Sequence, residues 1–168
     1  DVCDVYLAGK KVVDNKNLTD FKAHLVRNDI EKVVRNSFYM QKLTAQSFYI
    51  EPCGKRCRVI KVIPGQLLTE EWITDIDFDK SNGIDVSRDI LKLAVAERHL
   101  NTGHIGLGFI TGIGLQKGAI ASSVSHDSHN LVIIGTNEED MAIAGNHIRE
   151  LGGGCVAVTD STVMAEVP

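Results

Sequence analysis

The chain lacks several features that would assign it to a specialised class of protein. Its 168 residues hold four cysteines, too scattered for a dense disulfide framework, so we expect reduced thiols and a cytoplasmic location. No apolar run reaches the roughly 18 residues of a membrane span, and the opening Asp-Val-Cys-Asp is unlike a signal peptide. The formal net charge of -4 argues against a nucleic-acid surface, which usually carries a basic patch. We therefore expect no membrane and no nucleic acid among its partners.

Common motifs for nucleotides and zinc are missing as well. The glycines from Gly106 to Gly118 miss the spacing of the dinucleotide fingerprint, and no Lys-Ser/Thr of a P-loop follows them. The segment Pro52–Cys57 has one residue too many between its cysteines for the zinc deaminase motif, and no His-x-Glu precedes it. We interpret the glycines as packing positions and Pro52–Cys57 as a turn.

Histidines, by contrast, concentrate in one part of the chain. Four of the six fall between His99 and His129, threaded through glycine-rich sequence. Histidine exchanges protons or ligates metals near neutral pH, and glycine lets the backbone approach a ligand closely. The candidate site residues in this region are Glu97, Arg98, His99, His104, Ser122, Ser123, His126, Asp127, His129 and Asn130.

These residues leave more than one interpretation open. In His126–Asn130, two histidines with a carboxylate between them could bind a metal, move protons or hydrogen-bond a polar ligand. The same run could instead be a polar turn whose aspartate and asparagine bond local backbone. Similarly, Glu97–His99 could orient a substrate through its arginine, or form a Glu-Arg ion pair on the surface. A metal site would need further ligands, from His99 or His104.

Local patterns predict more strands than helices. Ile90–Ala96 and residues 105–113 each fit a strand or a buried helix, and we favour a strand for Ile90–Ala96. The helix pattern is clearest from Asn137 to Leu151, where Thr136 and Glu139 have capping-box spacing. Because strands and helices do not strictly alternate, the predicted class is α+β, a mixed β-sheet with a few packing helices after an N-terminal β-hairpin.

Hairpin patterns occur at both ends of the chain. Val5–Val13 turns at Ala8-Gly9-Lys10, and Cys155–Glu166 turns at Thr159-Asp-Ser. The chain has no initiator Met, and its ends interrupt strand-like patterns. We interpret it as a piece of a longer polypeptide.

Eight short blocks are distributed in order from Val62 to Gly154. They are Val62–Gly65, Ala94–His99, Thr102–His104, Lys117–Ala121, Val124–Asn130, Gly135–Asn137, Asp140-Met141 and Glu150–Gly154. Together they resemble the C-terminal domain of bacterial adenine deaminases, members of the metal-dependent amidohydrolase superfamily. The opening Asp4–Val13 looks like the superfamily's hairpin that returns after the catalytic barrel to complete a small composite β-sandwich, whereas residues 14–57 match only loosely. The resemblance implies a hairpin and linker over residues 1–45 and the C-terminal α+β domain over residues 46–168.

The resemblance also implies an activity, the hydrolysis of adenine to hypoxanthine and ammonia by a metal-bound hydroxide. The metal, typically manganese or iron in this family, would be held by the barrel. The barrel's ligand set is not found in order in this sequence, and 168 residues cannot hold a barrel of about 250 residues. We therefore expect no metal ligand and no catalytic residue here, and an inactive chain when isolated. The expected partners are the barrel of the same protein, adenine and further copies in a homo-oligomer.

Within this hypothesis, the candidate residues act as an accessory to a distant metal centre. His126–Asn130 and Glu97–His99 would face the barrel mouth and help enclose the substrate. Two alternatives are a self-contained metal-binding or hydrolytic module built on the cluster from His99 to His129, and a structural oligomerisation domain.

Overall fold

A computed structural model describes residues 2–19, 30, 32, 34 and 37–168. The chain divides into two units, residues 1–36 and 37–168. In the smaller unit, three antiparallel strands form one sheet: β1 (Val5–Leu7), β2 (Lys10–Asp14) and β3 (Asn17–Leu18). The N-terminal hairpin is confirmed, and its turn passes through Ala8 and Gly9, whose φ angles of 47° and 78° suit a tight two-residue turn.

The larger unit is built on an eight-stranded sheet. Its strands are β4 (Arg56–Val62), β5 (Thr69–Asp75), β6 (Leu91–Ala96), β7 (Ile105–Thr111), β8 (Ala119–Ser122), β9 (Leu131–Gly135), β10 (Cys155–Thr159) and β11 (Thr162–Val167). Their order across the sheet is β11-β10-β8-β9-β6-β7-β4-β5. Only β4 and β7 pair in parallel within this sheet, so the sheet is mixed and the predicted α+β class is confirmed.

The helix α1 (Glu138–Leu151) covers one face of this sheet. Its apolar side chains recur every three or four residues, which places them on one stripe of the helix. They pack on alternate residues of β6, β8, β9 and β10, together with side chains from the segment before β4. This core contains Met40, Leu43, Phe48, Ala94, Ala96, Ala119, Ala121, Leu131, Ile133, Met141, Ala144, Ile148, Val156 and Val158. Within the described residues, no helix is long and apolar enough to cross a membrane.

The first turn of α1 differs from the sequence expectation. Asn137 is the N-cap, and its side-chain oxygen accepts the N–H of Asp140 at 2.7 Å. The hydroxyl of Thr136 instead donates to the carbonyl oxygen of Gly118 at 3.1 Å. The predicted capping box between Thr136 and Glu139 therefore does not form, because the residue before β8 takes the threonine hydroxyl.

Candidate functional site

Most of the predicted site residues gather at one end of the larger sheet. β6 ends at Ala96, directly before Glu97, and β8 ends at Ser122. Ala96 pairs with Leu131, the first residue of β9. The segment after β6 and the loop that joins β8 to β9 therefore leave the sheet side by side. We name them the β6 turn (residues 97–104) and the histidine loop (residues 123–130).

Two side chains of the β6 turn hold the histidine loop. The Nε of Arg98 donates to the carbonyl oxygen of His129 at 2.6 Å, and its Nη1 donates to the carbonyl oxygen of Ser37 at 3.2 Å. The Nε2 of His99 lies 2.9 Å from the carbonyl oxygen of Ser128. Because a carbonyl oxygen can only accept, this histidine nitrogen carries a proton. Arginine and histidine thus fix the backbone of the loop, while the side chains of His126 and Asp127 stay exposed.

Glu97 closes the β6 turn on itself. Its carboxylate accepts the backbone N–H groups of Leu100 and Thr102, at 2.7 and 3.0 Å, and the hydroxyl of Thr102 at 2.9 Å. These bonds, led by the one from the backbone of Thr102, lower the pKa of Glu97 to about 2. The carboxylate is therefore ionised at neutral pH and occupied by its own turn. It shapes the turn and is not placed to exchange a proton with a ligand.

The histidine loop presents titratable side chains to solvent. His126 and Asp127 are each 92% exposed, with Nδ1 of the histidine 2.9 Å from Oδ1 of the aspartate. The ring centroids of His126 and His129 are 6.3 Å apart. The chain bends tightly here, since Asp127 and His129 have φ angles of 71° and 49° and the N–H of His129 donates to Ser125 at 2.7 Å. The loop is a polar turn in its backbone, and its side chains can still bind a group from outside the unit.

The start of β10 supports the base of the histidine loop. The hydroxyl oxygen of Ser123 accepts the N–H of Gly154 at 2.8 Å, and the N–H of Ser123 donates to the carbonyl oxygen of Gly154 at 3.0 Å. The hydroxyl of Ser122 accepts the N–H of Val124 at 3.1 Å and lies 3.2 Å from the sulfur of Cys155. Both predicted serines therefore anchor the loop to the sheet.

Asn130 closes the histidine loop and carries an unpaired polar atom. Its side-chain oxygen is buried and accepts no hydrogen bond from the described residues. Burying a carbonyl oxygen without a donor costs roughly 1–3 kcal/mol. Because this atom is buried, a group from outside the unit cannot reach it without a movement of the loop.

His104 lies in a different environment from the histidine loop. Together with Glu97 it borders a cavity of about 330 Å³, where Gln41, Lys42 and Ser47 provide further polar groups. Its backbone bonds to Glu97 and Thr102, at 3.0 and 3.3 Å. The structure therefore brings Arg98 and His99 onto the loop and leaves His104 beside this cavity, away from the loop.

The described residues do not contain three or more His, Cys, Asp or Glu side chains arranged to hold a metal ion. The thiols of Cys3, Cys53, Cys57 and Cys155 are all free. Burial raises the pKa of the Cys57 thiol, which disfavours the thiolate that binds metals. The alternative of a self-contained metal module therefore lacks a ligand set in this part of the chain.

Sequence reasoning missed a buried ion pair beneath the sheet. The side chain of Lys92, on β6, is fully buried and bonds to Glu138 at the start of α1. Asn82 donates to the same carboxylate oxygen at 3.1 Å. Burial lowers the pKa of Lys92, and Glu138 opposes that shift. The sequence feature that could have indicated this ion pair is Lys92, the one charged residue inside the apolar run Ile90–Ala96.

Comparison with known proteins relates the larger unit to one family. A family model described as the adenine deaminase C-terminal domain matches residues 66–168. This range includes the β6 turn, the histidine loop and α1.

Full-length relatives extend the match toward the start of the chain. An adenine deaminase of Brucella anthropi is 44% identical over 144 residues, which cover 84% of this chain and 25% of the relative. One of Clostridium botulinum is 42% identical over 149 residues, covering 86% of this chain and 25% of the relative. One of Lysinibacillus sphaericus is 36% identical over 166 residues, covering 98% of this chain and 28% of the relative. The chain thus spans about a quarter of the length of these curated relatives.

Proposed function

The chain belongs to the adenine deaminase C-terminal domain family, and we propose that it is the C-terminal part of an enzyme that hydrolyses adenine. The observation that carries this proposal is the family match over residues 66–168, joined by relatives at 36–44% identity. The reaction consumes adenine and water and releases hypoxanthine and ammonia. Because all four cysteines are free thiols, the proposal places the enzyme in a reducing compartment, the cytoplasm.

The metal centre belongs to a different part of the enzyme in this proposal. The described residues offer no ligand set for manganese or iron. We assign the metal to an amidohydrolase barrel in the part of the polypeptide that this chain does not cover. No step of the chemistry is assigned to a side chain of this domain, and the isolated domain is expected to be inactive.

The proposed contribution of this domain is to enclose the purine. The ring nitrogens of His126 and His129 can donate or accept hydrogen bonds, and the carboxylate of Asp127 can accept them. Adenine presents ring nitrogens that accept and an amino group that donates, so these groups are complementary to it. Arg98 and His99 hold the loop backbone in place, which limits the ordering cost of binding. Closing the site in this way would exclude bulk water from the reacting base.

Steady-state kinetics of the full-length enzyme test this role. We expect the double variant His126→Ala/His129→Ala to lower kcat/KM for adenine by about tenfold or more, since each lost neutral hydrogen bond is worth roughly 0.5–1.5 kcal/mol. The matched control is Lys117→Ala/Asp160→Ala, which removes an exposed ion pair of 2.7 Å outside the loop. Equal kcat/KM values for the two double variants would exclude a substrate-enclosing role for the loop.

A second measurement tests the assignment of the chemistry. The 168-residue chain alone is expected to release no ammonia from adenine above the rate of the buffer. Turnover by the isolated chain near the rate of the full-length enzyme would place the catalytic groups within it.

A further inference from the structure

The sheet of the larger unit has a second apolar face, on the side opposite α1. Directly paired residues of neighbouring strands share a face. Val132 pairs with Val95, and Ile134 pairs with Leu93 and Ile120. Their neighbours along each strand form the core under α1, so these five side chains point away from it. They are Leu93, Val95, Ile120, Val132 and Ile134, and we name them the open face.

The open face is apolar over a wide area. Ala157 of β10 pairs with Ile120 and extends the face toward the edge of the sheet. Gly106 and Gly108 of β7 pair with Val95 and Leu93 and add no side chains that would shield them. A shallow cavity of about 400 Å³ lies over β8, β9, β10 and β11.

The sequence of β9 indicates that the sheet is covered on both faces at this strand. An antiparallel sheet with one solvated face alternates apolar and polar residues along each strand. β9 reads Leu-Val-Ile-Ile-Gly and has no polar residue on either face. Large contiguous apolar patches on soluble domains mark interaction sites.

On the same side of the sheet, the strands β4 and β5 carry charged side chains, unlike the open face. On β4 and β5, Arg58 pairs with Ile73 in register and forms an ion pair of 2.6 Å with Glu71. The side chains of Arg58 and Glu71 are 75% and 50% exposed. Charge is therefore restricted to one half of the face, and the open face has the composition of an interface core.

The length and the entry point of the chain indicate what covers the open face. The relatives are about four times as long, so a large body of polypeptide accompanies this domain in the full-length protein. The chain enters the larger unit at the end of β6, where Tyr39 donates to the carbonyl oxygen of Arg98 at 2.7 Å. A tethered body at this point has an effective concentration in the millimolar range, well above that of a second free copy.

We propose that the open face binds the preceding part of the same polypeptide in the full-length protein. The proposal rests on the proposed function, because the family assigns this domain to the C-terminal end of a longer enzyme. Docking there sets the histidine loop at the margin of the interface, since Ser122 and Val132, which flank the loop, are paired at the edge of the open face. The partner surface is expected to be apolar and uncharged, to match the open face.

Site-specific photocrosslinking in the full-length protein tests this proposal. p-Benzoylphenylalanine replaces Ile120 in one variant and Ile73 in the control. Both are isoleucines on the same side of the sheet, 37% and 48% exposed in this domain. We expect the probe at Ile120 to give a crosslink within one chain that maps to the preceding polypeptide. The probe at Ile73 should give no such crosslink. A product of two chains joined at Ile120, or equal crosslinking at both positions, would overturn the proposal.

Oxidative footprinting of the unmodified protein covers the case in which the probe disturbs folding. Hydroxyl radicals should oxidise Ile120 severalfold more slowly than Ile60 in the full-length protein, although the two side chains are 37% and 39% exposed in this domain. Equal rates would overturn the proposal. Adenine turnover, measured on the same preparations, separates the two hypotheses. An active enzyme with an unprotected open face would refute docking alone, and an inactive protein with a protected face would refute the deaminase assignment alone.

Discussion

The Nε of Arg98 donates to the carbonyl oxygen of His129 at 2.6 Å, across 31 positions of sequence. The Nη1 of the same guanidinium donates to the carbonyl oxygen of Ser37, and its Cζ lies 5.1 Å from the ring centroid of Phe38. One side chain therefore joins the end of β6, the histidine loop and the segment that enters the larger unit. The position of the loop depends on this junction.

Arg98→Lys should loosen the histidine loop while retaining the charge. A lysine ammonium cannot reproduce the planar fork that reaches two carbonyl oxygens at once. We expect a loss of about 1 kcal/mol in the free energy of unfolding and faster amide exchange in residues 126–130. Urea denaturation and hydrogen exchange measure the two effects. Arg58→Lys, at an exposed ion pair on β4, is the control and should change neither. Similar exchange in both variants would contradict the role given to Arg98.

Glu97→Gln should destabilise the β6 turn in a pH-dependent way. The folded-state pKa of Glu97 is about 2, below the ordinary value of 4.5. A depressed carboxyl pKa contributes stability that is fully present above the ordinary pKa and is lost as pH falls toward the folded-state value. The wild type should therefore exceed the variant most at pH 7, and the difference should shrink between pH 4.5 and pH 2. Urea unfolding at several pH values measures it, with Glu71→Gln as the exposed control. A difference independent of pH would show that the ionised form is not what matters.

Glu138→Ala should leave the buried ammonium of Lys92 without its carboxylate partner. Removing one partner of a buried ion pair costs about 3–5 kcal/mol, whereas replacing both partners by apolar groups costs far less. We expect Lys92→Met/Glu138→Ala to be more stable than Glu138→Ala alone. Burial lowers the pKa of Lys92 in the folded state, so the unfolded state binds more protons. The single variant should therefore regain stability as pH rises toward the ordinary lysine pKa of 10.5. Urea unfolding measures both variants. A double variant no more stable than Glu138→Ala would contradict the coupling between the two side chains.

Gly135→Ala and Gly108→Ala compare the covered and the open faces. A Cβ at Gly135 would lie 2.3 Å from Cγ of Met141, so the Met141 side chain or α1 must move, at a cost of roughly 1–3 kcal/mol. A Cβ at Gly108 meets nothing within 4 Å, and alanine there should be neutral in this domain. Thermal unfolding of both variants measures the contrast. A destabilised Gly108→Ala domain would show that part of this chain already covers that face.

Much of the local structure could be predicted because it depends on neighbours in sequence. The hairpin at Cys155–Glu166 and the helix ending before Gly152 follow from turn residues and apolar period. The strand favoured for Ile90–Ala96 forms as β6, from Leu91 to Ala96, although its run of apolar residues fits a helix equally well. Its pairing with β7 and β9 decides the outcome, and both partners lie elsewhere in the sequence.

The candidate site was predicted as a set of residue types and not as an arrangement. Histidine and carboxylate spacing marked the loop and the β6 turn, but no local pattern indicates that Arg98 and His99 bond the loop backbone. Nor does the spacing of the histidines indicate that His104 lies away from the histidine loop, beside the cavity of about 330 Å³. The ion pair of Lys92 and Glu138 spans 46 positions and could not be inferred from either residue alone.

The sequence by itself determined the hairpins, the amphipathic helix, the α+β class and the family, because each rests on local propensity or on residue identity in order. Only the tertiary structure decided the strand order, the junction at Arg98, and the division of one sheet into a covered face and an open one. These depend on which strands lie side by side, and strand pairing is set by contacts between residues far apart in the chain.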